Sequence, residues 1–297
     1  MNSIDRNRAS MRAFCSCQQG ASHLRSGKVC QDAAYARYEE GDRYAVAIVS
    51  DGHGGANYFR SDRGSRFAVE ATRKAIGRFM VNFEDNRKGN LALDSLQRDP
   101  ERYLKQLEQN IVYEWRERVM QDYYAQPFTD AEIDLMSEDA RKKFYADADT
   151  VFIKAYGATL IAVVVYPGKF WFGLHVGDGK CVAFDAEGVP TQPIPWDERC
   201  FLNVTTSLCD ARPLESFRHC IHFDHFPSAI FVGSDGIDDS FATDADLYGF
   251  YEEVARTFRE KSYEEACEEV DKFLPVLSEK GSGDDVSVSG IIAYNFL

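Results

Sequence analysis

Apolar residues recur along the chain in two rhythms. Short runs rich in Val, Ile and aromatic residues occupy 33–38, 44–49, 160–166, 170–175, 181–185, 230–233 and 286–294; they end at turn signals, which predicts strands. Pro167-Gly168 and Glu187-Gly188 are turn dipeptides, so the runs around them read as antiparallel hairpins. Between the second and third strands the rhythm becomes helical. Phe67, Ala71, Ala75 and Phe79 share one face, as do Leu104, Leu107, Ile111, Trp115 and Val119. Asp99-Pro100 predicts an N-cap with Pro at the first helical position, and Thr129 with Glu132 a capping box. A further helix is expected from Ser137 towards Tyr156. A last one, over 248–277 and broken near Ser262, carries Val254, Phe258, Ala266, Val270 and Phe273.

Strands, helices, strands, helix, strand is therefore the order. Helix-free hairpins point to antiparallel sheets rather than a doubly wound parallel sheet. Two such sheets with helices outside use these elements economically, so an α+β sandwich is expected. No repeat, low-complexity tract or linker interrupts the pattern, and residues 1–297 read as one domain.

Charge and cysteine content narrow the function classes. With 34 Lys and Arg against 48 Asp and Glu, the formal net charge is −14. That excess argues against a nucleic-acid partner, which needs a basic face, and against an anionic membrane surface. The longest apolar run, 160–166, has the length of a strand and not of a membrane span. Met1 to Arg12 is polar, which predicts no secretory signal, and eight cysteines in 297 residues read as reduced thiols in a cytoplasm.

Four segments share a design in which apolar residues and glycine flank an aspartate. They are Ser50-Asp51-Gly52-His53-Gly54-Gly55, Gly177-Asp178-Gly179, Ser234-Asp235-Gly236 and Gly283-Asp284-Asp285. A single Asp-Gly is an ordinary turn. Four at strand ends are another matter, because carboxylates gathered in one place repel unless a cation neutralises them. Hard oxygen donors suit Mg²⁺ or Mn²⁺ rather than zinc.

These segments, with Gln31-Asp32 and Gly157-Ala158-Thr159, resemble in order the metal-dependent protein phosphatases of type 2C over nearly the whole chain. The resemblance implies a four-layer α-β-β-α sandwich. It implies hydrolysis of phosphoserine and phosphothreonine in proteins by a water that two Mn²⁺ or Mg²⁺ ions activate, with no covalent intermediate. By position, Asp51 would bridge the two ions, Asp235 and Asp284 would complete one of them, and the Gly52 carbonyl would contact the other. Asp178 and Asp239 match a third, weaker metal position, and Asp32 an acidic position near the metals. His53 matches the general acid that protonates the leaving alkoxide. The implied partners are a phosphorylated protein and a cognate serine/threonine kinase.

The departures from that family are specific. Gly27 stands where an arginine is common, leaving Arg25 and Lys28 as candidates for the phosphate-binding cation. Gln31 replaces a glutamate, Asp285 an asparagine, and Gly179 a serine. Residues 190–225 correspond to a variable flap and carry Cys200, Cys209, Cys220, His219, His222 and His225. Residues 216–226 read as a strand, which puts His219 and His222 on opposite faces and speaks against zinc. Two rival functions remain at this level: a pseudophosphatase that binds phosphoproteins, and a phosphohydrolase of small phosphoesters.

Overall fold

The computed structural model describes residues 11–38, 43–83, 86–201 and 204–294. Ten of the twelve residues in the polar start, 1–10, lie outside that set. The strands are β1 (Met11–Gln18), β2 (Ala33–Arg37), β3 (Ala45–Ser50), β4 (Leu160–Tyr166), β5 (Phe170–Val176), β6 (Lys180–Phe184), β7 (Pro190–Thr191), β8 (Arg218–His222), β9 (Ala229–Gly233) and β10 (Val286–Ala293). They form two five-stranded sheets, ordered β1-β10-β9-β6-β7 and β2-β3-β4-β5-β8, with antiparallel pairing throughout.

Alternation along each strand builds the layers. On β3, Ala45, Ala47 and Val49 face the other sheet and meet Ile230, Val232 and Ile291, while Val46 and Ile48 face helices. On β10, Ile291 points inward and Val286, Val288 and Ile292 point to the opposite helical layer. One helical layer contains α2 (Ser61–Val81), α3 (Asn86–Arg98) and α4 (Pro100–Ala125); the other contains α9 (Asp244–Glu260) and α10 (Tyr263–Lys280). The expected α-β-β-α order is observed. Trp115 on α4 is fully buried, and its indole N–H donates to the Gly64 carbonyl at 2.9 Å, tying α4 to α2.

The helix starts follow their capping residues. The Asp99 side chain accepts from Arg102 N, and Thr129 and Glu132 form a reciprocal box ahead of α5 (Asp130–Leu135). Ser262 and Glu265 form another box, which is why the helix expected over 248–277 is two, α9 and α10. The helix expected from Ser137 is α6 (Glu138–Ala146), followed by a separate short α7 (Ala148–Val151) and a 3₁₀ turn, Phe152–Tyr156. Several elements escaped the periodicity: β1, whose apolar positions alternate irregularly with Ser and Cys, the two-residue β7, the polar α3, and two helices too short to show a rhythm.

Two short helices complete the set: α1 (Ala21–Ser26) and α8 (Asp235–Asp238). Among the described residues no helix is long and apolar enough to cross a membrane.

Candidate metal centre

Asp51 follows the last residue of β3, and Thr159 fixes it from behind. The Asp51 N–H donates to Thr159 Oγ1 at 3.0 Å, and the Thr159 N–H donates back to the Asp51 carbonyl at 2.8 Å. The Ser50 hydroxyl donates to the Thr159 carbonyl at 2.6 Å. Gly52 has no room for a side chain, since a Cβ there would lie 2.5 Å from the Gln31 carbonyl oxygen and 2.6 Å from that of Ser61. Close packing of three backbones thus dictates glycine after the aspartate.

Asp178 leaves β5 through Gly177, whose φ of 114° is open only to glycine at little cost. Thr206 Oγ1 accepts from the Gly177 N–H at 3.1 Å, and Arg218 donates to its carbonyl at 2.6 Å. Asp235 opens α8 directly after β9, and the Asp239 N–H donates to its carbonyl at 2.8 Å. The three strand ends converge: one carboxylate oxygen from each of Asp51, Asp178 and Asp235 lies within 4.8 Å of the others.

Burial and mutual repulsion hold these carboxyls out of their ordinary range. Asp51 is raised well above it, chiefly by burial, then by the charges of Asp235 and Asp32. Asp235 is raised by burial, then by Asp178, Asp32 and Asp284. Asp178 is raised by burial, with a smaller push from Asp239. Asp32, just ahead of β2, is pushed up to about 6 by burial and then by Asp285. Oδ1 of Asp178 and Oδ2 of Asp32 are buried and accept no hydrogen bond. Self-repelling carboxylates with idle oxygens are the donor set a hard divalent cation satisfies, so the residues present fit Mn²⁺ or Mg²⁺.

Asp284 stands outside that trio. Its Oδ1 accepts from the Asp285 N–H at 2.8 Å and lies 3.7 Å from Nε2 of the buried His23, although its charge still reaches Asp235. His23, Asp284 and Asp285 form a second group of mutually close ligand atoms. The buried Asp285 carboxylate accepts from the Gly20 and Gln31 N–H groups, each at 2.6 Å, and lies 2.9 Å from His23 Nδ1. The structure therefore gives this departure from asparagine a reason: both side-chain oxygens at 285 serve as acceptors for backbone donors.

Sequence and architecture are now decisive together. Residues 19–274 match the family model of protein phosphatase 2C. The chain belongs to the protein phosphatase 2C family. It is a metal-dependent protein serine/threonine phosphatase, with Mn²⁺ or Mg²⁺ as cofactor. No curated protein matches the chain by sequence. Among solved structures, a bacterial serine phosphatase is 16% identical with a TM-score of 0.58, covering 97% of this chain and 100% of its own. The catalytic domain of PstP, in complex with two manganese ions, is 13% identical with a TM-score of 0.56, covering 97% of this chain and 100% of its own. Stp1 from Staphylococcus aureus is 16% identical with a TM-score of 0.56, and 96% of each chain is covered. At such identities the likeness is one of fold.

In this phosphatase His53 is held by its backbone. Its N–H donates to the Gly157 carbonyl at 3.2 Å, and the Gln31 side-chain amide donates to its carbonyl at 3.1 Å. Its ring meets Tyr58 edge-on, with centroids 4.9 Å apart. Burial, then the charge of Lys154, lowers the imidazole to about 4.

The remaining candidates separate. Arg25 and Lys28 are exposed on and just after α1, and Arg25 lines a surface groove with Pro275 and Glu279 of α10. His219 bonds Glu108 at 2.6 Å and Glu101 at 2.8 Å on α4, while His222 stacks on Trp171 with centroids 4.3 Å apart. These contacts put the two histidines on opposite faces of β8, as the strand rhythm predicts.

Sequence reasoning missed several neighbours of the cluster. Asp238 is partly buried, pushed up to about 7 chiefly by that burial, and has Oδ1 without a hydrogen-bond partner; Lys180 lies 3.5 Å from its other oxygen. Thr206 and Ser207 brace Gly177 and Ala158, with Ser207 Oγ accepting from Ala158 N at 3.2 Å and donating to its carbonyl at 3.1 Å. The hydroxyl run Thr205-Thr206-Ser207 was the available signal.

Proposed function

We propose that the Asp51, Asp178 and Asp235 cluster is the catalytic metal centre of this phosphatase, that Asp32, Asp239 and Asp284 support it, and that His53 is the general acid. The convergence of three carboxylate oxygens within 4.8 Å at three separate strand ends carries this reading. Bound there, a pair of divalent cations would supply an activated water and neutralise the phosphoryl oxygens. The chain's own part is to hold that centre rigid. Thr159 clamps Asp51, Arg218 and Thr206 clamp the turn before Asp178, and the Gly52 carbonyl lies where its backbone is fixed by Gln31 and Ser61. His53 stands beside the cluster with its backbone pinned on both sides; a phosphate dianion arriving next to its ring favours the protonated form needed to protonate a serine or threonine alkoxide.

The assignment extends to the chain's setting. Residues 1–297 are read as one catalytic domain, with 190–225 as the flap beside the site. A phosphoprotein generated by a serine/threonine kinase in the cytoplasm is the expected substrate. The retained cluster weighs against a pseudophosphatase, which has no use for carboxylates that demand a cation.

A substrate panel tests the reading. With Mn²⁺, the purified chain should hydrolyse phosphoserine and phosphothreonine peptides well ahead of phosphotyrosine peptides and free nucleotides. Preference for a nucleotide would instead identify a small-molecule phosphohydrolase.

A further inference from the structure

A phosphate dianion approaching this centre meets a chain of net charge −14 and a cluster of carboxylates. A side-chain cation at the entrance would help the metals offset that field. The arginines and lysines of the neighbourhood are mostly committed elsewhere. Arg60 bonds Glu132 at 2.7 Å, Arg218 bonds the Gly177 carbonyl at 2.6 Å, and Lys180 bonds Asp244 at 2.8 Å. Arg25 and Lys28 are exposed, and Arg25 belongs to the groove along α10.

Lys154 is placed differently. It sits on the 3₁₀ turn three residues before Gly157, and its carbonyl accepts from the Gly157 N–H at 3.1 Å. The Gly157 carbonyl in turn accepts from the His53 N–H at 3.2 Å, so one short stretch of backbone fixes Lys154 relative to His53. The Lys154 ammonium lies 5.5 Å from the centre of the Tyr58 ring, whose edge packs on His53. Gly157 makes that packing possible, because a Cβ there would lie 2.5 Å from Tyr58 and 2.6 Å from His53. Lys154 is exposed and has no carboxylate partner among the described residues. Its charge is nonetheless felt at His53 and at Cys209.

We propose that Lys154, parked over Tyr58, is the cation that meets the phosphoryl group of a phosphoserine or phosphothreonine substrate, in the role that sequence comparison offered to Arg25 and Lys28. The proposal rests on the phosphatase reading of the adjoining centre. An aromatic perch keeps an ammonium close without an acidic partner competing for it. A lysine is a mobile point charge, able to leave that perch for the incoming dianion.

The experiment compares Lys154→Gln, Lys154→Arg and Lys154→Glu with Arg25→Gln and Lys28→Gln, all in the full chain with saturating Mn²⁺. The readouts are KM and kcat for a phosphoserine peptide, and affinity for inorganic phosphate by titration calorimetry. Removing one charge contact at this range should weaken phosphate binding and kcat/KM about tenfold. Charge reversal should weaken them further, Lys154→Arg should restore most of the loss, and added salt should narrow the gap between wild type and Lys154→Gln. Unchanged phosphate affinity in Lys154→Gln, or a larger loss in either the Arg25 or the Lys28 variant, overturns the proposal. Equal losses in the Arg and Gln variants, with lowered melting temperatures, also overturn it, since they mark Lys154 as a prop for Tyr58. If wild type cleaves no phosphopeptide yet phosphate affinity still falls in Lys154→Gln, the anion site stands and the phosphatase reading fails.

Discussion

Asp51 and Thr159 hold each other back to back, each donating a hydrogen bond to the other, at 3.0 Å to the threonine hydroxyl and 2.8 Å to the aspartate carbonyl. Thr159→Val keeps the shape and removes the hydroxyl, which leaves the Asp51 N–H without its acceptor. The expected cost is about 1–3 kcal/mol of stability, with weaker Mn²⁺ binding, while Thr159→Ser retains both. Urea unfolding and titration calorimetry on the two variants check this. Equal Mn²⁺ affinity in wild type and Thr159→Val would detach the clamp from the metal centre.

Asp285→Asn restores the residue common in the family, and here it should do harm. One side-chain oxygen would become an amide donor facing the N–H of either Gly20 or Gln31, both of which now find an acceptor at 2.6 Å. A loss of about 1–3 kcal/mol is expected on urea unfolding. A variant as stable as wild type would show that these two donors do not depend on the second oxygen.

His219 ties β8 to α4 in a pH-dependent way. Its hydrogen bond to Glu108 is the main cause of its raised pKa; burial opposes, and Glu101 adds to the rise. A raised folded-state pKa contributes stability fully below the unfolded value of about 6.5, and loses it as pH climbs through the folded value. Wild type should therefore exceed His219→Gln by about 1–2 kcal/mol near pH 6, with the gap shrinking by pH 9. A gap that widens with pH would contradict the ion pair.

His53 is separable from the metals by leaving-group dependence. A serine alkoxide needs a proton on departure and a nitrophenolate hardly does. His53→Gln should slow phosphopeptide hydrolysis by roughly 10²-fold or more, nitrophenyl phosphate hydrolysis far less, and leave Mn²⁺ affinity nearly unchanged. Equal losses on both substrates would remove it from the acid role.

The fold was legible in the sequence wherever one rhythm ran long enough. The apolar runs of β3 and β10 and the helical face Leu104 to Val119 announced the layers, and Ser262 announced the break between α9 and α10. β1 was not legible, because its alternating positions include Ser16 and Cys17 rather than larger apolar side chains. At the site, glycine beside aspartate marked Asp51, Asp178 and Asp235, whose geometry comes from strand ends. Asp284 carried the same signal, yet its carboxylate sits beside His23, a partner 261 positions away that no local pattern reveals. Lys154 was hidden for the same reason: its meaning depends on Tyr58 and His53, which only the folded backbone brings near.

The most direct test of the central claim is phosphate release from a phosphoserine peptide by the purified chain, measured across a Mn²⁺ titration, with and without excess chelator, for wild type and Asp235→Asn. The account predicts turnover that rises with Mn²⁺, disappears with chelator, and falls by orders of magnitude in Asp235→Asn. Full turnover in excess chelator, or an unimpaired Asp235→Asn, would contradict it.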